Sequence, residues 1–312
     1  MTVYAMQFSI VIPTYNRPKR LQQCLSSLTE LSYPRDRFEV VVVDDGSQSS
    51  LASVAAPFKT ALNLVFIRQS NSGPASARNT GAAAAQGNYL VFTDDDCQPT
   101  YTWLTALETA LQEAPAALVG GRTLNALPHN LCSTASQVLI DYLYGFYNPD
   151  PSTATFFASN NFAVPRAAYL DLQGFDTSFP LAAGEDREFC DRWRYYQHPM
   201  SYSPEMQVRH AHQLTLRSFW RQHFNYGRGA FCFHQVRAHR TEDTIKVEAL
   251  SFYWNLLTYP LRHLPLKQAG PVSVLMLVSQ VANVAGFFWE KAQQRQGKPS
   301  GTHDTAPKGM QT

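Results

Sequence analysis

The sequence predicts an α/β fold built on a Rossmann-like, mostly parallel sheet with flanking helices. Three observations support this prediction: short apolar runs recur along residues 8–125, stretches of helical periodicity separate them, and polar clusters directly follow three of the runs. Nearly continuous apolar strands are typical of parallel sheets, because helices cover both faces of such a sheet. Ligands of these sheets bind at the carboxyl ends of the strands, so we expect the polar clusters to form one site.

The elements of this first half alternate regularly. The first helix is expected to begin at Pro18, because a first helical turn does not need the N–H group that proline lacks. The second helix opens at the sequence Ser72-Gly73-Pro74 and is rich in alanine. The predicted strands cover residues 8–13, 38–43, 62–67 and 89–93, and the predicted helices cover residues 18–31 and 72–85.

Composition and charge exclude several classes of protein. Apolar residues make up 45% of the chain and charged residues 16%, which is enough to build a core and excludes a disordered chain. A net charge of +2 argues against nucleic acid as a partner. Five cysteines without a C-x-x-C pair favour neither a disulfide framework nor a zinc ribbon, and indicate a reducing compartment. Residues 1–8 lack the basic region of a signal peptide.

Three consecutive aspartates, Asp94, Asp95 and Asp96, follow the strand predicted over residues 89–93. Like charges raise each other's pKa, so a bound divalent cation would relieve the cost of holding these carboxylates together. Carboxylate oxygens suit Mg²⁺ or Mn²⁺, which commonly share a few carboxylates with substrate phosphates. The alternative is a solvated acidic loop or a helix cap, which a helix dipole would also favour.

Five segments together resemble family 2 glycosyltransferases in their order and spacing. They are FSIVIPTYNR at residues 8–17, VVVVDDGS at 40–47, GPASARNTG at 73–81, YLVFTDDD at 89–96 and GEDREFCDR at 184–192. The resemblance covers residues 8–228 and implies the GT-A fold, with metal-dependent, inverting transfer of a sugar from a nucleotide-diphospho-sugar. The sequence contains neither a P-loop motif nor a G-x-G-x-x-G turn, so neither of those nucleotide-binding patterns gains support.

The resemblance places the donor, which would be linked to UDP, GDP or dTDP, against the first half of the chain. By this resemblance Asp45 would hydrogen-bond the base and Asp94 would contact the ribose. Arg78 would reach the base or the diphosphate, a role that suits a planar cation with five donors, although a surface ion pair is the alternative. The full set of donor-binding candidates is Pro13, Thr14, Tyr15, Arg17, Asp45, Arg78, Asp94 and Asp95.

The acidic pair Glu185 and Asp186 matches the acceptor-side motif of the family. An inverting transfer needs a base that takes the proton of the acceptor hydroxyl, and the metal would assist the leaving diphosphate as a Lewis acid. We therefore assign Asp186 as the base and Glu185 as an orienting or acceptor-binding residue. The pair could also open a helix over residues 186–196 and interact favourably with its dipole.

Two histidines, His210 and His212, would lie on the same side of an extended segment. In related GT-A enzymes a histidine after the acidic motif completes the metal site, so either one could join Asp96 as a ligand of Mn²⁺ or Mg²⁺, and His210 is favoured. A hydrogen bond to phosphate or a surface pair is the alternative. The candidates for contact with the sugar or acceptor are Asn160 and Asn161, which could equally form an ordinary loop, and Arg228.

Two other functions remain open at this point. A nucleotidyltransferase would be expected to carry a glycine-rich, basic loop after its first strand, where this chain has TYNRP at residues 14–18. A non-catalytic module that binds sugar nucleotides or glycans would be expected to have lost the acidic residues. The Q-x-x-R-W motif of processive synthases is absent, which favours transfer of a single sugar.

The C-terminal region suggests a membrane partner. Residues 271–289 carry no charge, and four polar residues, Ser273, Ser279, Gln280 and Asn283, fall within about one third of a helix circumference. Because a spanning helix needs about 20 apolar residues, this pattern favours a helix lying in the membrane interface. A helix packed on the catalytic domain and a spanning helix are the alternatives.

These interpretations divide the chain into three regions. Residues 1–240 would form the catalytic domain, with the donor-binding half at 1–123 and the acceptor half at 124–240. Residues 241–292 would hold a cytoplasmic enzyme against the inner face of the membrane, and residues 293–312 would form a disordered tail. The nine arginines and six histidines of residues 187–240 favour anionic head groups or a lipid-linked acceptor by about 1 kcal/mol per residue near a membrane, unless they are simply solvated helix faces.

Overall fold

The computed structural model describes residues 6–179, 183–241 and 248–296. Its centre is an eight-stranded sheet with the strand order β3-β2-β1-β4-β7-β6-β8-β5. The strands are β1 (Phe8–Thr14), β2 (Phe38–Asp44), β3 (Leu64–Arg68), β4 (Tyr89–Thr93), β5 (Cys97–Pro99), β6 (Leu118–Asn125), β7 (Asn161–Pro165) and β8 (Met200–His210). The first four strands pair in parallel, whereas β7 is antiparallel to both β4 and β6, and β5 is antiparallel to β8. The α/β prediction is confirmed.

Ten helices lie in the described part of the chain. Pro18 and Pro74 both stand in first turns, as expected, and Gly73 precedes Pro74 with a φ of 87° that favours glycine. The helices are α1 (Pro18–Thr29), α2 (Ala52–Ala55), α3 (Pro74–Ala84), α4 (Trp103–Glu113), α5 (Leu131–Tyr147), α6 (Arg166–Asp171), α7 (Glu185–Tyr195), α8 (Leu216–Thr241), α9 (Leu250–His263) and α10 (Leu266–Arg295).

Apolar side chains of neighbouring positions in the central strands point to opposite faces of the sheet. Ile10 of β1 belongs to the buried cluster that α1 and α4 complete, whereas Val11 belongs to the cluster that α3, α6 and α7 complete. Every residue of β1 and β2 is buried. Helices therefore cover both faces of the parallel strands, which explains why these strands are continuously apolar in sequence.

The strands of the second half give no such signal in the sequence. Strand β6 contains Gly120 and Gly121, and a Cβ at Gly120 would lie 2.1 Å from the ring of Phe157. Strand β8 is buried at only some of its positions. Glycines weaken the strand pattern of a sequence, which explains why no regular pattern of strands could be recognised in this region.

The last three helices pack on α5 and form a fourth layer. Phe219 of α8, Leu256 of α9 and Met276 of α10 share one buried apolar cluster with α5. Helices α8 and α10 approach closely, since a Cβ at Gly286 would lie 1.9 Å from the carbonyl oxygen of Phe224. The C-terminal region is thus an integral part of the fold rather than a separate appendage.

Helix α10 presents an apolar face to the outside. It is long and apolar enough to cross a membrane by length and composition, and 28% of its most apolar window is buried. The predicted polar stripe faces inward, because Ser279 is fully buried while Val274, Leu277 and Val281 are each at least half exposed. The helix continues to Arg295, beyond the start of the predicted tail at residue 293, and residues 297–312 lie outside the described residues.

Candidate functional site

The predicted polar clusters converge on one side of the sheet, as the strand order requires. Thr14 at the end of β1 pairs in register with Asp44 at the end of β2, and Thr14 Oγ1 donates a hydrogen bond of 2.7 Å to Asp95 after β4. A cavity of about 740 Å³ opens beside them. Predicted residues from both halves of the chain line one end of it: Arg78, Asp94, Asn160, Glu185, Asp186, His210 and His212.

Asp45 organises the loop that leads into α3. Its carboxylate accepts hydrogen bonds from Gln69 Nε2 at 2.7 Å and from the backbone N–H groups of Ser72 and Gly73, both at 2.9 Å. Next to it, Gly46 has a φ of 78°, and a Cβ there would lie 2.6 Å from the backbone nitrogen of Asn71. This turn therefore has a fixed shape, and the contact predicted between Asp45 and a nucleotide base stays a prediction.

Two other donor-binding candidates follow β1 closely. Tyr15 is 46% exposed, so its ring is accessible to a ligand, whereas Pro13 is buried within the strand. Their proposed contacts with the base and ribose stay predictions.

Arg78 joins the donor-side carboxylate to the acceptor-side carboxylate. Its guanidinium lies 2.7 Å from Asp94 Oδ1 and 3.4 Å from Glu185 Oε1, and it stacks 5.6 Å from the ring centroid of Phe175. Arg78 is only 4% exposed, so the alternative of a surface ion pair is wrong. Burial disfavours its charge, but Asp94 and Glu185 keep the pKa of Arg78 above its usual value.

The three consecutive aspartates have different main partners, although Asp95 and Asp96 share Arg17. Asp94 reaches Arg78, whereas Asp95 is held by Thr14 and by Arg17 Nη1 at 3.0 Å. Burial raises the pKa of Asp95 to about 6 against the opposing effect of Arg17. Asp95 is 2% exposed and Asp96 is 6% exposed, which excludes a solvated acidic loop.

Asp96 is surrounded by cationic and imidazole donors. Its carboxylate lies 3.1 Å from His210 Nε2, 2.8 Å from Arg20 Nη1 and 3.4 Å from Arg17 Nη1. Burial alone would raise the pKa of Asp96, but the hydrogen bond and charge of His210, together with Arg17, hold it well below the usual range. Strand β8 supplies this contact, because its last residue is His210.

A divalent cation fits this donor set. One ligand atom each from Asp96, Cys97 and His210 lie within 4.8 Å of one another. Burial raises the pKa of the Cys97 thiol well above its usual value, so Cys97 is a poor ligand for a hard cation. His212 stacks on His210 with ring centroids 4.9 Å apart, and burial lowers its pKa to about 4. A neutral imidazole is the form that binds a metal ion, so His212 stays a candidate ligand beside Asp96 and His210, the two candidates that are in direct contact.

The acidic pair opens α7, one residue before the predicted start. Gly184 caps the helix with a φ of 94°, and the backbone N–H of Arg187 donates a 2.7 Å hydrogen bond to Asp186 Oδ1. Burial, together with the charge of Asp186, raises the pKa of Glu185, and burial likewise raises that of Asp186. Both residues line the cavity, so the same residues start the helix and face the cavity.

Two acceptor-side candidates have structural contacts instead. The amide of Asn161 is fully buried; it accepts from Trp103 Nε1 at 2.9 Å and donates to the carbonyls of Arg122 and Met206. The predicted contact of Asn161 with the sugar or acceptor is therefore wrong, because both polar atoms of its side chain already form hydrogen bonds within the protein. Neighbouring Asn160 does line the cavity.

The predicted contact of Arg228 with the sugar or acceptor is also wrong. Its Nε lies 2.7 Å from Glu290 Oε2, and its guanidinium stacks 4.4 Å from the ring centroid of Trp289. It does not line the cavity. Arg228 thus binds α10 to α8 rather than an acceptor.

Sequence reasoning missed Arg20. This residue is on the first turn of α1 and donates to both Asp96 and the carbonyl of Ala211 at 2.8 Å. It follows Arg17, the N-cap of α1, by three residues, and this pair of arginines at the predicted helix start was the available signal.

Part of the chain is similar in sequence to known glycosyltransferases. The family model described as glycosyl transferase family 2 matches residues 9–171. Glycosyltransferase AglE of Haloferax volcanii is 37% identical over 123 residues, which is 39% of this chain and 40% of that protein.

Two solved structures share the fold. The mannosyltransferase PcManGT of Pyrobaculum calidifontis, in complex with GDP-Man and Mn²⁺, superposes with a TM-score of 0.65 at 18% identity, covering 92% of this chain and 88% of that one. S. aureus TarS 1-349 in complex with UDP superposes with a TM-score of 0.53 at 18% identity, covering 94% and 92%. The matches to the first curated relatives span less than half of the length of each relative.

Proposed function

The chain belongs to glycosyl transferase family 2, and on that premise we propose that it is a metal-dependent inverting glycosyltransferase. It moves a single sugar from a nucleotide-diphospho-sugar to a hydroxyl of a glycan or a lipid-linked acceptor. The observation that supports this most directly is the convergence of Asp94, Asp186 and His210 on one cavity, with Asp96 in contact with His210.

Asp186 acts as the general base in this proposal. Its carboxylate takes the proton of the acceptor hydroxyl while that oxygen forms a bond to the anomeric carbon of the sugar. On the opposite face the bond from the anomeric carbon to the diphosphate oxygen breaks, and the nucleoside diphosphate leaves with the bonding electrons. The raised pKa of Asp186 makes it a stronger proton acceptor than an exposed carboxylate.

Asp96 and His210 would hold the metal ion. When bound, a divalent cation supplies Lewis-acid stabilisation of the negative charge on the leaving diphosphate. Arg17 and Arg20 stand beside Asp96 and are 52% and 27% exposed, so both guanidiniums can also reach a diphosphate. The complex of PcManGT with GDP-Man and Mn²⁺ supports a donor and a cation of these classes.

The same proposal places the enzyme in the cytoplasm, at the inner face of a membrane. The exposed apolar side chains of α10 support a contact with lipid, since Val274, Leu277 and Val281 are 63%, 52% and 51% exposed. An interfacial helix buries such a face to a shallow depth.

Thermal unfolding with UDP, GDP and dTDP, each with and without Mn²⁺, tests the proposal. We expect one nucleotide to raise the melting temperature, with a larger shift when Mn²⁺ is present, because a ligand that binds only the folded state stabilises it. Asp96→Asn should lose the part of the shift that depends on Mn²⁺. Absence of a Mn²⁺-dependent shift with all three nucleotides would contradict the proposal. Hydrolysis of a panel of nucleotide-sugars then identifies the donor.

A further inference from the structure

The cavity beside the carboxylates is lined by more than the residues proposed to bind the donor and act as the base. From Asp186 it continues between α5, α8, α9 and α10. The walls of this second end are largely apolar, beside the polar Gln280 and Asn283 of α10, and the apolar side chains include Ile140, Leu143, Phe252, Leu256, Val284 and Phe287. A glycan is covered with hydroxyl groups, so it would leave these walls without a matching partner.

A cation also lines the cavity. Arg187 follows Asp186 in α7 and lines the cavity, and its guanidinium lies 4.5 Å from the ring centroid of Phe233. Among the described residues no carboxylate forms an ion pair with Arg187, in contrast to Arg192 and Arg240, which both pair with Glu188. Arg187 is therefore available to an anionic group of a ligand, next to the proposed base.

The apolar end of the cavity reaches the exposed face of α10. Val284 and Phe288 line the cavity, yet they are 55% and 59% exposed. They continue the row formed by Leu277 and Val281 on the same helix. An apolar chain lying along this row of α10 would thus reach the cavity at Val284 and Phe288.

We propose that the acceptor is an amphiphile whose apolar chain lies between α5, α9 and α10, with an anionic linkage at Arg187 and its hydroxyl group at Asp186. This inference rests on the proposed function, which supplies the base and the donor. One cavity is lined by apolar walls, by Arg187, which has no ion pair within the described part of the chain, and by the carboxylate of Asp186. A lipid-phosphate-linked sugar would offer a chain, a phosphate and a hydroxyl to these three features.

Binding of a series of alkyl phosphates to the full-length chain tests this inference without any donor. Butyl, hexyl, octyl and decyl phosphate would be titrated by calorimetry below their critical micelle concentrations. Because burial of one methylene contributes about 0.8 kcal/mol, each added methylene can tighten binding up to about fourfold. We expect a gain of at least tenfold from butyl to decyl phosphate, and weaker binding of both inorganic phosphate and uncharged decyl maltoside.

Matched variants locate the site. Val284→Asp and Val281→Asp change the same residue type at similar exposure on α10, but only Val284 lines the cavity. We expect Val284→Asp to weaken decyl phosphate binding at least tenfold and Val281→Asp to weaken it less than twofold. Arg187→Gln should remove the preference for decyl phosphate over decyl maltoside while keeping the dependence on chain length.

The inference is overturned if affinity does not depend on chain length, or if both valine variants weaken binding equally. It is also overturned if Arg187→Gln leaves the preference for phosphate unchanged. The same samples would be tested for Mn²⁺-dependent nucleotide binding. Alkyl phosphate binding that fails while nucleotide binding persists removes only the amphiphilic acceptor, whereas loss of nucleotide binding contradicts the proposed function itself.

Discussion

The imidazole Nε2 of His210 lies 3.1 Å from Oδ1 of Asp96, which connects the end of β8 to the turn between β4 and β5. The contact brings a residue of the acceptor half to the donor half of the site. Since carboxylate and imidazole together suit Mn²⁺, this pair defines the expected metal site more narrowly than three adjacent aspartates do.

The first prediction concerns the metal. His210→Ala should weaken Mn²⁺ binding in the presence of the nucleoside diphosphate by at least about tenfold, because even loss of a group that only orients a metal ligand costs 10- to 100-fold. His212→Ala should have a smaller effect, since His212 stacks on His210 while the contact with Asp96 comes from His210. Isothermal titration of both variants checks this, and an equal loss in the two would assign the ligand role differently.

The second prediction concerns the base. Asp186→Asn should reduce transfer by about 10²- to 10⁴-fold, the usual contribution of general base catalysis, while the affinity for the nucleotide changes little. Asp171→Asn, at an exposed position at the end of α6, provides the control and should retain full activity. If Asp186→Asn instead loses nucleotide affinity in parallel with activity, Asp186 belongs to the donor side.

The first half of the fold could be predicted from the sequence because its strands are buried on both faces. Every position of β1 and β2 must then be apolar or otherwise satisfied, and that constraint is visible in a single sequence. In β6 the same burial is achieved with glycines that allow Phe157 and Met206 to approach the backbone. That arrangement has no periodic signature, so this half of the sheet could not be predicted.

Some residues of the candidate site could be predicted from the sequence and others could not, for a related reason. The contact of His210 with Asp96 could be expected once the family resemblance placed a histidine after the acidic motif. Asn161 and Arg228 have polar side chains of the kind that often bind ligands. Their actual partners, Trp103 and Glu290, are remote in sequence. Only the folded chain shows that these polar groups are already satisfied.

The third prediction concerns pH. Burial raises the pKa of Glu185 to about 7, whereas an unfolded glutamate titrates near pH 4.3. Between these two pH values the carboxyl group of Glu185 keeps its proton in the folded state but loses it in the unfolded state. The contribution of Glu185 to the free energy of unfolding therefore falls as pH rises through this interval, and it stays constant at higher pH. Glu185→Gln removes that titration, so its stability relative to the natural protein should rise from pH 5 to pH 8.

Urea unfolding at pH 5, 8 and 9 measures this difference. One pKa unit corresponds to about 1.4 kcal/mol, so we expect a gain on the order of 1–3 kcal/mol between pH 5 and pH 8. No further gain is expected from pH 8 to pH 9, which serves as the internal control. A difference that does not change with pH would show that Glu185 titrates alike in the folded and unfolded chains.

The fourth prediction concerns the contact between α8 and α10. Gly286→Ala should destabilise the protein by about 1–3 kcal/mol, a typical cost of overpacking, because its Cβ would lie 1.9 Å from the carbonyl oxygen of Phe224. Gly145→Ala in α5, an exposed position where an added Cβ would meet no atom of a non-neighbouring residue within 4 Å, should stabilise its helix by up to about 1 kcal/mol. Thermal unfolding compares the two, and a loss of similar size in both would contradict the close packing.

The fifth prediction concerns the membrane. Leu277 and Val281 point away from the protein and are 52% and 51% exposed, so a double change to glutamate should leave the fold intact. Because burial of each such side chain contributes about 1.5–3 kcal/mol, co-sedimentation with vesicles of phosphatidylcholine and phosphatidylglycerol should fall at least tenfold. Tyr101→Glu, at a residue that is 65% exposed and precedes α4, controls for added negative charge and should bind vesicles as the natural protein does.

Carbonate should release the natural protein from membranes, because an interfacial helix is held by one face only. Full resistance to carbonate would instead indicate that α10 spans the bilayer.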